Sequence, residues 1–242
     1  MFGFFGYYYG FDLTYLVLVL PCVILAMIAS ANVKSTFNRY AKVHSWRRIT
    51  GAQAAQRVLS AHGVTGVKIE RVAGDLTDHY DPKANVIRLS GDVYDSTSVA
   101  AIGVACHEAG HAVQYAQSYA PIKLRAAIIP VTNIGSQLAM PLILIGLLLS
   151  FGETVSYGFV YAGIACFSLS LIFQLVTLPV EFNASRRAMQ TIQGSEILSE
   201  EERKGARKTL TAAAMTYVAA TAVALAQLLR LLMIFGGRRR ND

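Results

Sequence analysis

Residues 107–111 read His-Glu-Ala-Gly-His, inside an apolar run from Ser98 to Gln117. On a helix, positions i and i+4 differ by about 40° in direction and about 6 Å in rise, so His107 and His111 project from one face and can share a metal ion. Glu108 lies about 100° from His107 on the same wheel. Its carboxylate is therefore placed to take a proton from metal-activated water rather than to ligate. Gly110, with no side chain, leaves room for another segment to approach the helix. With five histidines and eight glutamates among 242 residues, about 0.003 matches to the His-Glu-x-x-His pattern are expected by chance. A purely structural reading would leave a carboxylate buried in an apolar helix and in need of a partner.

A catalytic zinc site takes three protein ligands and keeps a fourth position open. His44, His62 and His79 could each supply the third, but they sit in polar segments where a solvated or hydrogen-bonded histidine is commoner. Glu181 is the better candidate. It opens the segment EFNASRRA at the end of an apolar stretch, and a carboxylate at the edge of hydrocarbon is costly and by default functional. Ala184 and Ser185 beside it are small enough to let two helices pack tightly.

The elements that must position these residues are mostly membrane helices. The chain is 54% hydrophobic, 15% charged and has a mean hydropathy of +0.42, against about 25% charged for a soluble domain. Residues 13–31 carry no charge over a length close to the hydrocarbon thickness. With no basic residue before Lys34, this reads as a spanning helix, not a cleaved leader. Residues 131–151 and 157–180 read as a helical hairpin joined by GETVS, and Thr209–Phe235 as a fourth apolar helix interrupted by Gln227 and Arg230.

Charge gives the orientation. Segment 32–130 holds twelve Lys and Arg against seven Asp and Glu, and 181–208 holds six against five. Both polar segments are therefore expected in the cytoplasm, with the N-terminus outside. Two spans separate His111 from Glu181, which returns the carboxylate to the side of the histidines. The tail GGRRRND disagrees: four spans would leave its arginines outside. The net charge of +7 is thus topological, and no basic cluster with interleaved aromatics suggests nucleic acid. Cys22, Cys106 and Cys166 read as small buried hydrophobes.

Between the first span and the motif, Ile49–Gly63 reads as a helix capped by Thr50 and Gln53. Residues 67–72 and 76–90 read as three short strands, the last two around the turn 81–85. The expected organisation is an N-terminal span (1–31), a cytoplasmic segment with the motif (32–130), a membrane hairpin (131–180), a cytoplasmic helix with the third ligand (181–208) and a C-terminal membrane helix with a basic tail (209–242). The fold class is a mostly α membrane protein of about four transmembrane helices carrying a small α+β unit.

HEAGHAVQYA, preceded by LTDHYDP and VIRLSGDVY and followed by PVEFNASRRA, resembles the YugP-type neutral zinc metallopeptidases, which are bacterial multi-pass membrane proteins. The resemblance runs from Asn32 to about Gln190. More distantly, the layout is similar to the gluzincins of the HtpX and CAAX prenyl protease group. The resemblance implies one zinc per chain held by His107, His111 and Glu181, with Glu108 as catalytic base. The distant group has Asp where this chain has Ser185, so another residue must orient a ligand histidine, with Asn183 and Asp78 the candidates.

The expected reaction is hydrolysis of a protein or peptide at the cytoplasmic face of a bacterial membrane, on membrane-linked substrates. An extended substrate would add to a sheet edge around Val86–Ser90, and Tyr115, Arg186 or Arg187 could support the oxyanion. Two rivals are a site-2-type intramembrane protease, with the motif inside the bilayer, and a non-catalytic scaffold fixed by zinc.

Overall fold

The computed structural model describes residues 13–74, 77–149 and 157–236. Residues 1–12, the expected hairpin loop and the basic tail lie outside these residues. The described residues are 77% helical, with a small sheet. In order, the elements are α1 (Tyr15–Tyr40), α2 (Gly51–Ala61), β1 (Lys68–Val72), β2 (His79–Asp81), β3 (Val86–Ser90), α3 (Gly91–Tyr94), α4 (Val99–Ala116), α5 (Ala120–Leu149), α6 (Tyr157–Gly194) and α7 (Glu200–Gly236).

Among the described residues, α1, α5, α6 and α7 are long and apolar enough to cross a membrane; α4 is not one of them. Each of the four extends beyond its apolar run, because that run marks only what hydrocarbon requires, while backbone hydrogen bonding continues into polar sequence. In α1 the turn Tyr15–Val19 is π-helical and Leu20 N–H bonds Tyr15 O. The wide turn stands just before Pro21, which has no N–H to give.

The chain divides into two compact units. One comprises 1–28, 124–177 and 217–242. Its apolar side chains are largely on the outside: Met27, Ile134, Leu148 and Met233 are all more than half exposed. Hydrocarbon, not water, is the solvent such a surface fits. Within it α5 and α6 pack closely, since a Cβ at Gly163 would lie 2.7 Å from Ala139 O.

The other unit comprises 29–123 and 178–216 and holds the motif. Its core gathers Val58 and Leu59 of α2, Ile87 and Leu89 of β3, Ile102 of α4 and Ile192 of α6. Thirteen of the 18 residues of α4 are buried. A helix apolar on all sides must be enclosed, and here protein encloses it. Thr50 caps α2 through a reciprocal pair with Gln53: Gln53 N–H to Thr50 Oγ1 at 3.2 Å, and Thr50 N–H to Gln53 Oε1 at 3.0 Å.

The sheet order is β1-β3-β2, with β1 parallel and β2 antiparallel to β3. This corrects one expectation. Val86–Ser90 is the central strand, bonded on both sides, so no substrate strand can pair there. Its apolar residues, Val86, Ile87 and Leu89, do not alternate, as befits a strand covered on both faces. The sheet's outer edges belong to β1 and β2.

Candidate metal centre

Serine 98 starts the motif helix by accepting a bond from Ala101 N–H at 3.2 Å, which satisfies a donor that the first turn leaves open. Two turns on, His107 and His111 share a face, their rings 4.7 Å apart and edge to face. At Gly110 the backbones of α4 and α6 touch. A Cβ there would lie 2.7 Å from Ala184 O. This approach brings Glu181, about one turn before Ala184, against the two histidines.

Glu181 is 2% exposed. Its Oε2 lies 3.1 Å from His107 Nε2 and 3.6 Å from His111 Nε2. The three ligand atoms lie within 4.8 Å of one another. Ligands about 2.1 Å from a tetrahedral zinc stand about 3.4 Å apart, so the two measured separations bracket the required one. No fourth ligating side chain joins the group among the described residues.

The outward nitrogens of both rings are held as well. His107 Nδ1 meets Ser185 Oγ at 3.1 Å, and His111 Nδ1 meets Gln114 Oε1 at 3.0 Å. Gln114 is fully buried, and its amide nitrogen donates to Val180 O at 2.8 Å and Asn183 Oδ1 at 3.0 Å. The Asn183 oxygen also accepts from Arg187 Nε at 2.7 Å. Arginine can only donate and a carbonyl can only accept, so each orientation in the chain is forced. Gln114 Oε1 must receive a proton from His111 Nδ1, so in the neutral ring the lone pair of His111 Nε2 faces the Glu181 carboxylate. A cation belongs between those two groups, either a proton on Nε2, which makes an imidazolium–carboxylate pair, or a metal ion. The donor set therefore fits a divalent metal ion.

Glu108 stays outside the ligand group and turns toward the sheet. Its Oε2 accepts from Tyr80 N–H at 3.0 Å, so the Tyr80 peptide points away from β3 along the outer edge of β2. Burial pushes the Glu108 carboxyl above the ordinary carboxylate range, with His107 and His111 pulling against it.

The other candidates from sequence lie elsewhere. His44 bonds Thr97 Oγ1, His62 bonds Val58 O and His79 bonds Thr77 O, and none joins the ligand group. Asp78 accepts from the backbone and hydroxyl of Ser90 and orients no ligand histidine. Ser185 itself fills that role for His107, and Asn183 acts on His111 one step removed, through Gln114. Arg187 is engaged by Asn183 and Gln117. Tyr115 packs on the ring of Tyr80, the centroids 5.5 Å apart. Gln114 was not legible as a site residue. Its signal is a lone polar side chain one turn past His111 in an apolar run.

The family described as "Putative neutral zinc metallopeptidase" matches residues 15–236. The chain is also similar to "Putative membrane protease YugP" of Bacillus subtilis (strain 168), 46% identical over 228 residues, which is 94% of this chain and 99% of the relative. No solved structure matches. The matched span contains both motif helices and all four long apolar helices, and the chain belongs to this neutral zinc metallopeptidase family of YugP type.

Proposed function

We propose that this protein is a membrane-bound zinc endopeptidase whose active site opens at the cytoplasmic face of a bacterial membrane. The observation that carries this reading is the meeting of His107 Nε2, His111 Nε2 and Glu181 Oε2 within 4.8 Å, with Glu108 beside them and outside the set. Bound there, zinc supplies Lewis acidity that activates water and polarises a peptide carbonyl. His107, His111 and Glu181 would hold the ion, the number of protein ligands that a catalytic zinc site takes. Ser185 and Gln114 fix the two imidazole rings. Glu108 receives the proton of the attacking water at a carboxylate oxygen and passes it to the leaving amine.

An extended protein or peptide substrate is expected to align along the outer edge of β2, accepting from the Tyr80 N–H in place of the Glu108 carboxylate that this N–H bonds in the free chain. Pairing through backbone groups recognises shape more than side chains, so low sequence selectivity follows. Glu181 stands on a helix that is continuous with an apolar stretch, which favours membrane-linked substrates. The excess of Lys and Arg in 32–130 and 181–208 favours the cytoplasmic side.

Enclosure of α4 by protein speaks against a motif embedded in lipid. A site with three ligands and an adjacent Glu108 speaks against a closed structural zinc, which is four-coordinate. Purified wild type should cleave an unfolded protein substrate, and Glu108→Gln should keep its zinc while losing about 10²- to 10⁴-fold in rate. Equal rates would refute the peptidase reading. For the membrane side, Cys106 is buried and of no use as a label. A cysteine at the exposed Lys83 position should react in intact cells with permeant maleimides only; labelling by an impermeant reagent would refute the cytoplasmic placement.

A further inference from the structure

Beside the metal centre, the polar ends of α6 and α7 enclose a groove of about 400 Å³, within the range of ligand sites. Its lining changes character along both helices. Phe182, Leu210 and Ala214 lie toward the apolar runs, while Gln190, Gln193 and Arg207 lie toward the polar ends. Arg186 lines it as well, and no acidic residue does. Of the carboxylates near these helix ends, Glu196 pairs with Arg47, Glu201 with Lys204, and Glu202 with the backbone of Trp46 and Ser199, while Glu200 does not line the groove. Neither Arg186 nor Arg207 has an ion-pair partner among the described residues. Its neighbour Arg187, by contrast, is held by Asn183 and Gln117.

Two uncompensated guanidinium groups with amide donors around them select an anion, and guanidinium suits phosphate in particular. An apolar end continuous with spanning helices selects one attached to acyl chains. We propose that this groove binds the phosphate headgroup of an anionic phospholipid. The headgroup would lie between Arg186 and Arg207, with glycerol and the first methylenes against Phe182 and Leu210. Ser185 lines the same groove and bonds His107, so an occupied groove would sit one side chain away from a metal ligand. The inference rests on the membrane half of the proposed function and not on its peptidase half.

The test uses the full-length protein in phosphatidylcholine nanodiscs, titrated with phosphatidylglycerol, with further phosphatidylcholine or with inorganic phosphate, and read as a shift in unfolding midpoint. Phosphatidylglycerol should stabilise the wild type, and an Arg186→Gln, Arg207→Gln double variant should need roughly thirty-fold more of it, since each basic side chain at an anionic surface contributes about fivefold. An Arg186→Lys, Arg207→Lys pair should retain most of the response, which separates lost charge from lost fold. An equal response to both lipids, an unchanged double Gln variant, a shift reproduced by inorganic phosphate alone, or an acidic peptide that displaces the lipid would each overturn the proposal. Failure to enter nanodiscs at all would instead overturn the membrane reading on which it rests.

Discussion

Gln114 Oε1 lies 3.0 Å from His111 Nδ1, and the direction of that bond is set from a distance by Arg187 and the Val180 carbonyl. The consequence is a single tautomer of His111, with Nε2 available to a metal. Without the amide, the ring could turn or shift its proton, and the site would lose a preorganised ligand.

Gln114→Leu keeps most of the volume and removes both bonding groups. Its zinc affinity should fall about 10- to 100-fold, measured by competition with a chelator on protein that elutes normally on gel filtration. Unchanged affinity would show that packing alone orients His111.

The contact at Gly110 makes a second prediction. Alanine improves helix propensity by about 1 kcal/mol over glycine, yet here its Cβ would meet the Ala184 carbonyl at 2.7 Å, and a backbone oxygen inside a helix cannot swing aside. Gly110→Ala should therefore destabilise by about 1–3 kcal/mol and weaken zinc binding, because the ligands stand on the two helices being forced apart. Gly103→Ala, on the same helix, would place its Cβ an ordinary 3.6 Å from Ala206 and should be tolerated. Equal behaviour of the two variants in thermal unfolding would contradict the close-approach argument.

Asp81 offers a pH dependence away from the metal centre. Its carboxylate accepts from Arg88 at 2.6 Å and from the amides of Lys83 and Ala84. The Arg88 bond, with the Ala84 amide next in weight, holds its pKa at about 2 against an ordinary 3.8. A carboxyl depressed on folding stabilises the native state fully above the unfolded value and loses that contribution as pH falls toward the folded one. Asp81→Asn should therefore be less stable than wild type at pH 7, and the gap should narrow as pH drops below about 4. A gap in unfolding temperature that widens on acidification would contradict the assignment.

Much of this arrangement could be read from residue types and spacing, for physical reasons. HEAGH carries the helical period within itself, so His107 and His111 share a face wherever the helix packs. Glu181 was reachable because an even number of spans returns the chain to the same side. Thr50 and Gln53 announced the start of α2 through local hydrogen bonding alone. Strand order was not legible, because β3 pairs with β1 across an intervening β2 and only long-range packing decides that. The irregular pattern of Val86, Ile87 and Leu89 was the available hint of a strand covered on both faces. Gln114 is not legible as a site residue because two of its three side-chain partners, Val180 and Asn183, are more than sixty residues away. Ser185 was noticed as a departure from the distant group, yet its hydroxyl performs the orienting role that the departure placed in doubt.

The most direct test of the account is zinc per chain, by elemental analysis of detergent-purified wild type beside Glu181→Ala. About one zinc is expected in the wild type and a clear loss in the variant, because Glu181 completes a ligand set of which His107 and His111 alone supply two. A wild type that neither contains zinc nor takes it up on reconstitution, or a variant that keeps its full complement, would contradict it.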